Sequence, residues 1–163
     1  MTSHPPDPIS AAELRRRRGR ARSLARDVGF VGRVEYRHVA TQSGGAQYGR
    51  GAGDGGDVLM VYAEAFDRDA DPGDFSLRAI IAHERGHQLL ARHPRLSPRL
   101  AGVSPAAEEV LASLLGAMVA GEGSDRDALV AKATAEVLAG GDRPEAAVRL
   151  VVRLWDELGS LLS

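Results

Sequence analysis

His83-Glu84-Arg85-Gly86-His87 sets two histidines four residues apart, with a glutamate directly after the first. In a helix that spacing is about one turn, so both imidazoles share a face and can hold one metal ion. Glu84 stands beside that face. It is placed to take a proton from a water whose acidity the metal has raised, and the hydroxide so formed attacks a polarised carbonyl. The chemistry expected is hydrolysis of peptide bonds with Zn2+ as Lewis acid, His83 and His87 as ligands and Glu84 as catalytic base. The bland alternative is two partly exposed histidines with Glu84 in a solvated pair to an arginine.

A catalytic zinc usually has three protein ligands and one open position. The chain has no cysteine, so histidines and carboxylates must supply them. His93 lies ten residues after His83, a metzincin-like spacing, but that geometry needs a glycine seven residues after the first histidine, and Leu90 stands there. Glu109 is preferred. It sits in the apolar run 110–117, where a carboxylate needs a positive partner, and Ala112, Ser113 and Gly116 are small enough for its helix to approach the histidine helix. Glu108 remains a third candidate, with bulkier neighbours in Leu111 and Leu115. Both glutamates also suit a helix N-terminus with no metal at all.

The elements that must position these residues follow from periodicity and caps. Residues 77–93 carry apolar positions at helical spacing, capped by Asp74 or Ser76 and stopped by His93-Pro94. Ser104-Pro105 opens the next helix, which lasts to Ala120 before Gly121. Upstream, an arginine-rich helix (10–28) follows a proline-rich tail (1–9) expected to be disordered. A strand is expected over 31–39, a short edge hairpin around Ala46-Gln47-Tyr48, and a buried strand over 58–62. Residues 67–74 read as an acidic turn. Ser124 is expected to cap a further helix, and Asp142-Arg143-Pro144-Glu145 to form a capping box for the last. The layout is helix, small sheet, then four helices: an α+β fold, in one domain over residues 1–163.

Composition excludes several classes. With 163 residues and 44% hydrophobic content the chain can build one core. A net charge of −1 gives no global pull toward nucleic acid or membrane. The absence of cysteine excludes a disulfide framework and a thiolate nucleophile. Residues 1–8 lack a basic start followed by an apolar run, and no long apolar stretch occurs, so the expected location is cytoplasmic. Lys132 is the only lysine among 21 basic residues, a bias that base composition explains and to which no function attaches at this level.

The stretch from Phe75 to Leu90 resembles the active-site helix of the ImmA/IrrE metallopeptidases, and the glutamate followed by a small-residue run, 109–117, is similar to that family's next helix. The resemblance covers roughly residues 30–120. It implies a zincin-like domain with a small twisted sheet, His83, His87 and Glu109 as zinc ligands, Glu84 as base, and a regulatory protease acting on one protein. The chain departs from the family at Arg85, where an apolar residue is common, at Ser113, where asparagine or aspartate is preferred, and at Leu115, where phenylalanine is.

Three weaker signals remain. The arginines between Arg15 and Arg26 could grip nucleic acid or an acidic partner, although no aromatic residues are interleaved for base stacking. A regulatory or interaction protein on a zincin scaffold, with structural or no zinc, is the alternative function. Gly51 to Gly56 formally fits a dinucleotide fingerprint, but a strand follows where a helix is needed. That glycine-rich loop is expected to border a substrate cleft instead. Tyr36 and His38 read as ordinary strand residues.

Overall fold

The computed structural model describes residues 4–41, 43–52 and 56–163. Among these, six α-helices and a three-stranded mixed sheet form an α+β fold. Helix α1 (Ala11–Asp27) precedes strands β1 (Arg33–Arg37), β2 (Ala46–Gly49) and β3 (Val58–Tyr62). Helices α2 (Ala63–Ala70), α3 (Leu77–Arg92), α4 (Pro105–Ala120), α5 (Ser124–Ala139) and α6 (Pro144–Leu162) follow, with a 3-10 turn at Ser97–Leu100. No helix among the described residues is long and apolar enough to cross a membrane.

Three starts are set by serines. The side chains of Ser10, Ser76 and Ser104 accept from the backbone N–H of Glu13, Ala79 and Ala107, satisfying one orphan donor at the heads of α1, α3 and α4. Elsewhere the cap signals mislead. Gly123, not Ser124, precedes α5, and Arg143 precedes α6 with no side-chain cap, so the expected box does not form. Helix α2 replaces the first half of the expected acidic turn. It leaves β3 directly at Tyr62, which makes no side-chain cap bond, and buries Ala63, Ala65 and Phe66.

Strand β3 is central in the order β1-β3-β2, parallel to β1 and antiparallel to β2. Its alternate residues Leu59 and Val61 are fully buried, while β2 is an edge. Two core clusters share the molecule. One lies between the sheet and helices α1 to α3, and the other joins the end of α3 to α4, α5 and α6. Helix α3 belongs to both. Leu77, Ile81 and Leu90 are sealed from solvent, each stabilising by about 1.5–3 kcal/mol relative to exposure.

Residues 4–9, the described part of the proline-rich segment, are held at two points; residues 1–3 of the expected tail lie outside the described residues. Ile9 packs on the first core cluster. The Asp7 carbonyl accepts from His38 Nε2 at 2.6 Å, and His38 Nδ1 accepts from the Tyr36 hydroxyl at 2.8 Å. Tyr36 on β1 and His38 just beyond its end therefore have a structural use.

Candidate metal centre

The site begins with two absences of side chains. At Gly86 on α3, a Cβ would lie 2.0 Å from the carbonyl oxygen of Ala112, and at Gly116 on α4 one would lie 2.7 Å from that of Ala82 and 2.9 Å from His83 Cα. Real Cβ atoms do not come so close. The backbones of α3 and α4 therefore touch, which the small residues after Glu109 led one to expect.

That contact aims three side chains at one point. His83 Nε2 and His87 Nε2 are 3.2 Å apart; His83 Nε2 is 3.2 Å from Glu109 Oε2, and His87 Nε2 is 3.2 Å from Glu109 Oε1. The three side chains form a group able to hold a metal ion. A tetrahedral ion with bonds of roughly 2.0–2.1 Å spaces its ligand atoms about 3.3 Å apart; the two Nε2 atoms have nearly that spacing, and each lies as close to a different oxygen of Glu109.

The far side of each imidazole decides what the near side offers. A carboxylate faces each nitrogen of His87, Glu108 Oε1 at 3.1 Å from Nδ1 and Glu109 Oε1 at 3.2 Å from Nε2; with a cation at Nε2 the ring proton would sit on Nδ1 and donate to Glu108. His83 Nδ1 is 3.1 Å from the buried Ser113 hydroxyl. Glu108, Glu109 and Ser113 all come from α4. Glu108 thus faces the outer nitrogen of His87 and is not in the group that could hold a metal. His93 is not in the group: it closes α3, where its Nδ1 accepts from the Arg95 amide.

Charge follows this geometry. The His83 and His87 imidazoles hold the Glu109 carboxyl far below the usual carboxylate range. Burial pulls His83 below its ordinary value, outweighing the lift from Glu109. For His87 burial pulls down too, but the carboxylates of Glu109, Glu84 and Glu108 lift it above the ordinary value. The site sets an anionic carboxylate beside two imidazoles, a donor set suited to a divalent cation.

No family model, curated protein or solved structure matches the chain. The geometry must carry the rest. Glu84 is only 9% exposed, and burial pushes its carboxyl up to about 7. The Tyr48 backbone N–H donates to its Oε2 at 2.7 Å, and among the described residues Oε1 takes no hydrogen bond. Both histidines, Glu84, Glu108 and Glu109 line a cleft of about 520 Å³. Residues 43, 44 and 46–48, including much of β2, form one wall, whereas Gly51, Ala52 and Gly56, the described residues of the loop expected to border the cleft, are not among those that line it. Residues 53–55 of the dinucleotide-like run lie outside the described residues. Phe75, Ala79, Ile80 and Leu129 give the cleft an apolar side.

Two residues that sequence reasoning left out stand at the cleft, one behind this wall and one beside Glu109. Asp57, 6% exposed, pairs with Arg92 at 2.5 Å and accepts from Gln88, Tyr48 Oη and the Gly51 amide. Arg92 and these donors hold its carboxyl far below the ordinary range. Gln88 also bridges to Val31, and Arg85 donates to Gln88 at 2.7 Å. Arg85 thus faces the sheet junction, not the cleft. The second residue is Lys132 on α5, whose Nζ is 3.4 Å from Glu109 Oε2.

Proposed function

We propose that the protein is a zinc-dependent metallopeptidase in which His83, His87 and Glu109 hold the metal and Glu84 is the catalytic base. One observation carries this reading: in an open cleft three side chains form a triangle, the two Nε2 atoms 3.2 Å apart and each 3.2 Å from one oxygen of the Glu109 carboxylate. Without a cation such a triangle is electrostatically poor; with one it is a three-ligand site with a fourth side free.

When bound, zinc supplies Lewis acidity, polarising a substrate carbonyl and making a neighbouring water more acidic. The remaining steps belong to the chain. The Tyr48 N–H fixes one oxygen of Glu84, which leaves the other to accept a proton from the attacking water. As the water oxygen bonds to the carbonyl carbon, Glu84 holds that proton; as the C–N bond breaks, it passes the proton to the departing amine. The apolar side of the cleft suits an apolar side chain of a polypeptide substrate. The resemblance to the ImmA/IrrE family supports a regulatory protease with a single protein as substrate.

The test joins metal content to cleavage. The purified protein should carry one zinc per chain, and Glu84→Gln should keep that zinc while losing hydrolysis by a factor of about 10²–10⁴. Protein fragments produced in a cell extract by the wild type and absent with Glu84→Gln would name the substrate. Zinc-free protein, or cleavage unchanged in Glu84→Gln, sinks the reading.

A second reading has its own observation. Arg15, Arg18, Arg22 and Arg26 recur at intervals of three or four on exposed positions of α1, and none enters an ion pair among the described residues. This stripe supports binding of a nucleic-acid backbone. Duplex affinity falling with salt by a slope of about −0.9 per phosphate contact, and weakened by Arg18→Glu and Arg22→Glu, is its expected signature.

A further inference from the structure

Helix α5 brings into the cleft one charged group that neither holds the metal nor acts as base. Lys132 lines the cleft one turn after Leu129. Its side chain is 27% exposed, and Nζ lies 3.4 Å from Glu109 Oε2 and 3.6 Å from Glu136 Oε1. An ammonium carries three donors, and these two carboxylates engage at most two of them. At least one N–H remains for whatever enters beside Glu109.

Ion pairing alone is a poor account of this lysine. A cation beside a metal site repels the metal, so Lys132 weakens the binding that Glu109 provides. Its chemistry is also particular. A guanidinium is a flat fork that would clasp both oxygens of Glu109 and withdraw them from a metal, whereas an ammonium is a point charge that can touch one oxygen and still turn a donor to the cleft. Every other basic residue in the chain is arginine. Among the charged and aromatic donors of the cleft wall, Arg68 is spent on Asp74 and the Gly44 carbonyl, the Tyr48 hydroxyl on Asp57, and the Tyr48 amide on Glu84, and Lys132 is the cation that stands beside Glu109.

We propose that Lys132 is the oxyanion donor of this site, hydrogen-bonding through Nζ–H to the oxygen of the scissile carbonyl. As water adds to the carbon, the C=O electron pair moves onto that oxygen and the ammonium stabilises the charge; when the C–N bond breaks, the pair returns. The ammonium keeps its protons throughout. This inference rests on the metallopeptidase reading.

The test uses the zinc-loaded full chain and an N-phosphoryl dipeptide, whose tetrahedral anionic group stands in for the charged oxygen. Zinc affinity is measured by chelator competition and probe affinity by calorimetry, for wild type, Lys132→Met and Lys132→Gln. Both variants should bind zinc at least as tightly as wild type, because a like charge has gone. Both should bind the probe about 10²-fold more weakly, the scale of losing one oxyanion donor. Probe affinity within threefold of wild type overturns the proposal. So does a tenfold loss of zinc affinity, which would make Lys132 a support for Glu109. Wild type that takes up no zinc, or takes it up and ignores the probe, overturns the metallopeptidase reading together with this one.

Discussion

Glu84 is a residue on which folding and chemistry pull in opposite directions. Its buried carboxyl ionises near 7 in the folded, metal-free protein, against an ordinary value of 4.5. An acid raised in this way stabilises the fold below its unfolded pKa, and that contribution is lost as pH rises from there through the folded value. The difference corresponds to about 3 kcal/mol at the extreme. Metal-free Glu84→Gln should therefore unfold at a higher temperature than wild type at pH 8, and the gap should close below pH 5. A melting series across pH checks this, and a constant gap would remove burial as the cause. At the same scale, Glu109→Ala should weaken zinc binding by 10²-fold or more, on the order expected for a lost ligand, whereas His93→Ala should leave it within twofold. The histidine pair was legible because four residues make one turn wherever a helix forms. Asp57, Tyr48 and Lys132 were not. Their partners stand 23 to 36 positions away, at Glu109, Gln88, Arg92 and Glu84, and no local pattern marks such pairs.

The element that decides the site is the pair α3 and α4. Gly86→Ala raises the intrinsic helix propensity of α3 by about 1 kcal/mol, yet its methyl would meet the Ala112 carbonyl, so the helices must part. The expected result is a net loss of roughly 1–3 kcal/mol from overpacking and a fall in zinc affinity of at least tenfold as Glu109 retreats. Chelator competition and urea unfolding on one preparation measure both; zinc affinity equal to wild type would show that the contact does not set the site. Much of this layout could be read from the chain. Serine caps and the Pro94 and Gly121 stops bounded α3 and α4, and β3 was an uninterrupted apolar run. Helix α2 escaped because it continues from β3 with no capping side chain and with Asp67 and Asp69 imitating a turn. The parallel pairing of β1 with β3 was equally hidden, since register between distant strands leaves no mark in either strand alone.

For the molecule as a whole, metal binding and folding are one equilibrium. A ligand that binds only the folded state adds about 2.7 kcal/mol of stability at a free concentration 100 times its Kd. Zinc should therefore raise the melting temperature of the apoprotein by several degrees, and a chelator should reverse the shift. His83→Ala with His87→Ala should abolish the response; a response that persists would place the metal elsewhere. The net charge of −1 conceals a strong separation, with carboxylates at the cleft and arginines along α1.

The contact of α3 with α4 also has a consequence in time. His83, Glu84, His87, Glu108, Glu109 and Ser113 all lie on two successive helices, while β1 reaches β3 only across the glycine-rich segment. Local contacts form faster than distant ones because less chain must be closed. The α3–α4 pairs stand 21 to 30 residues apart, close to the separation of β1 from β3, whereas the Tyr48 amide stands 36 residues from Glu84. The groups that would hold a metal thus come together over shorter stretches of chain than the hydrogen bond that steadies Glu84.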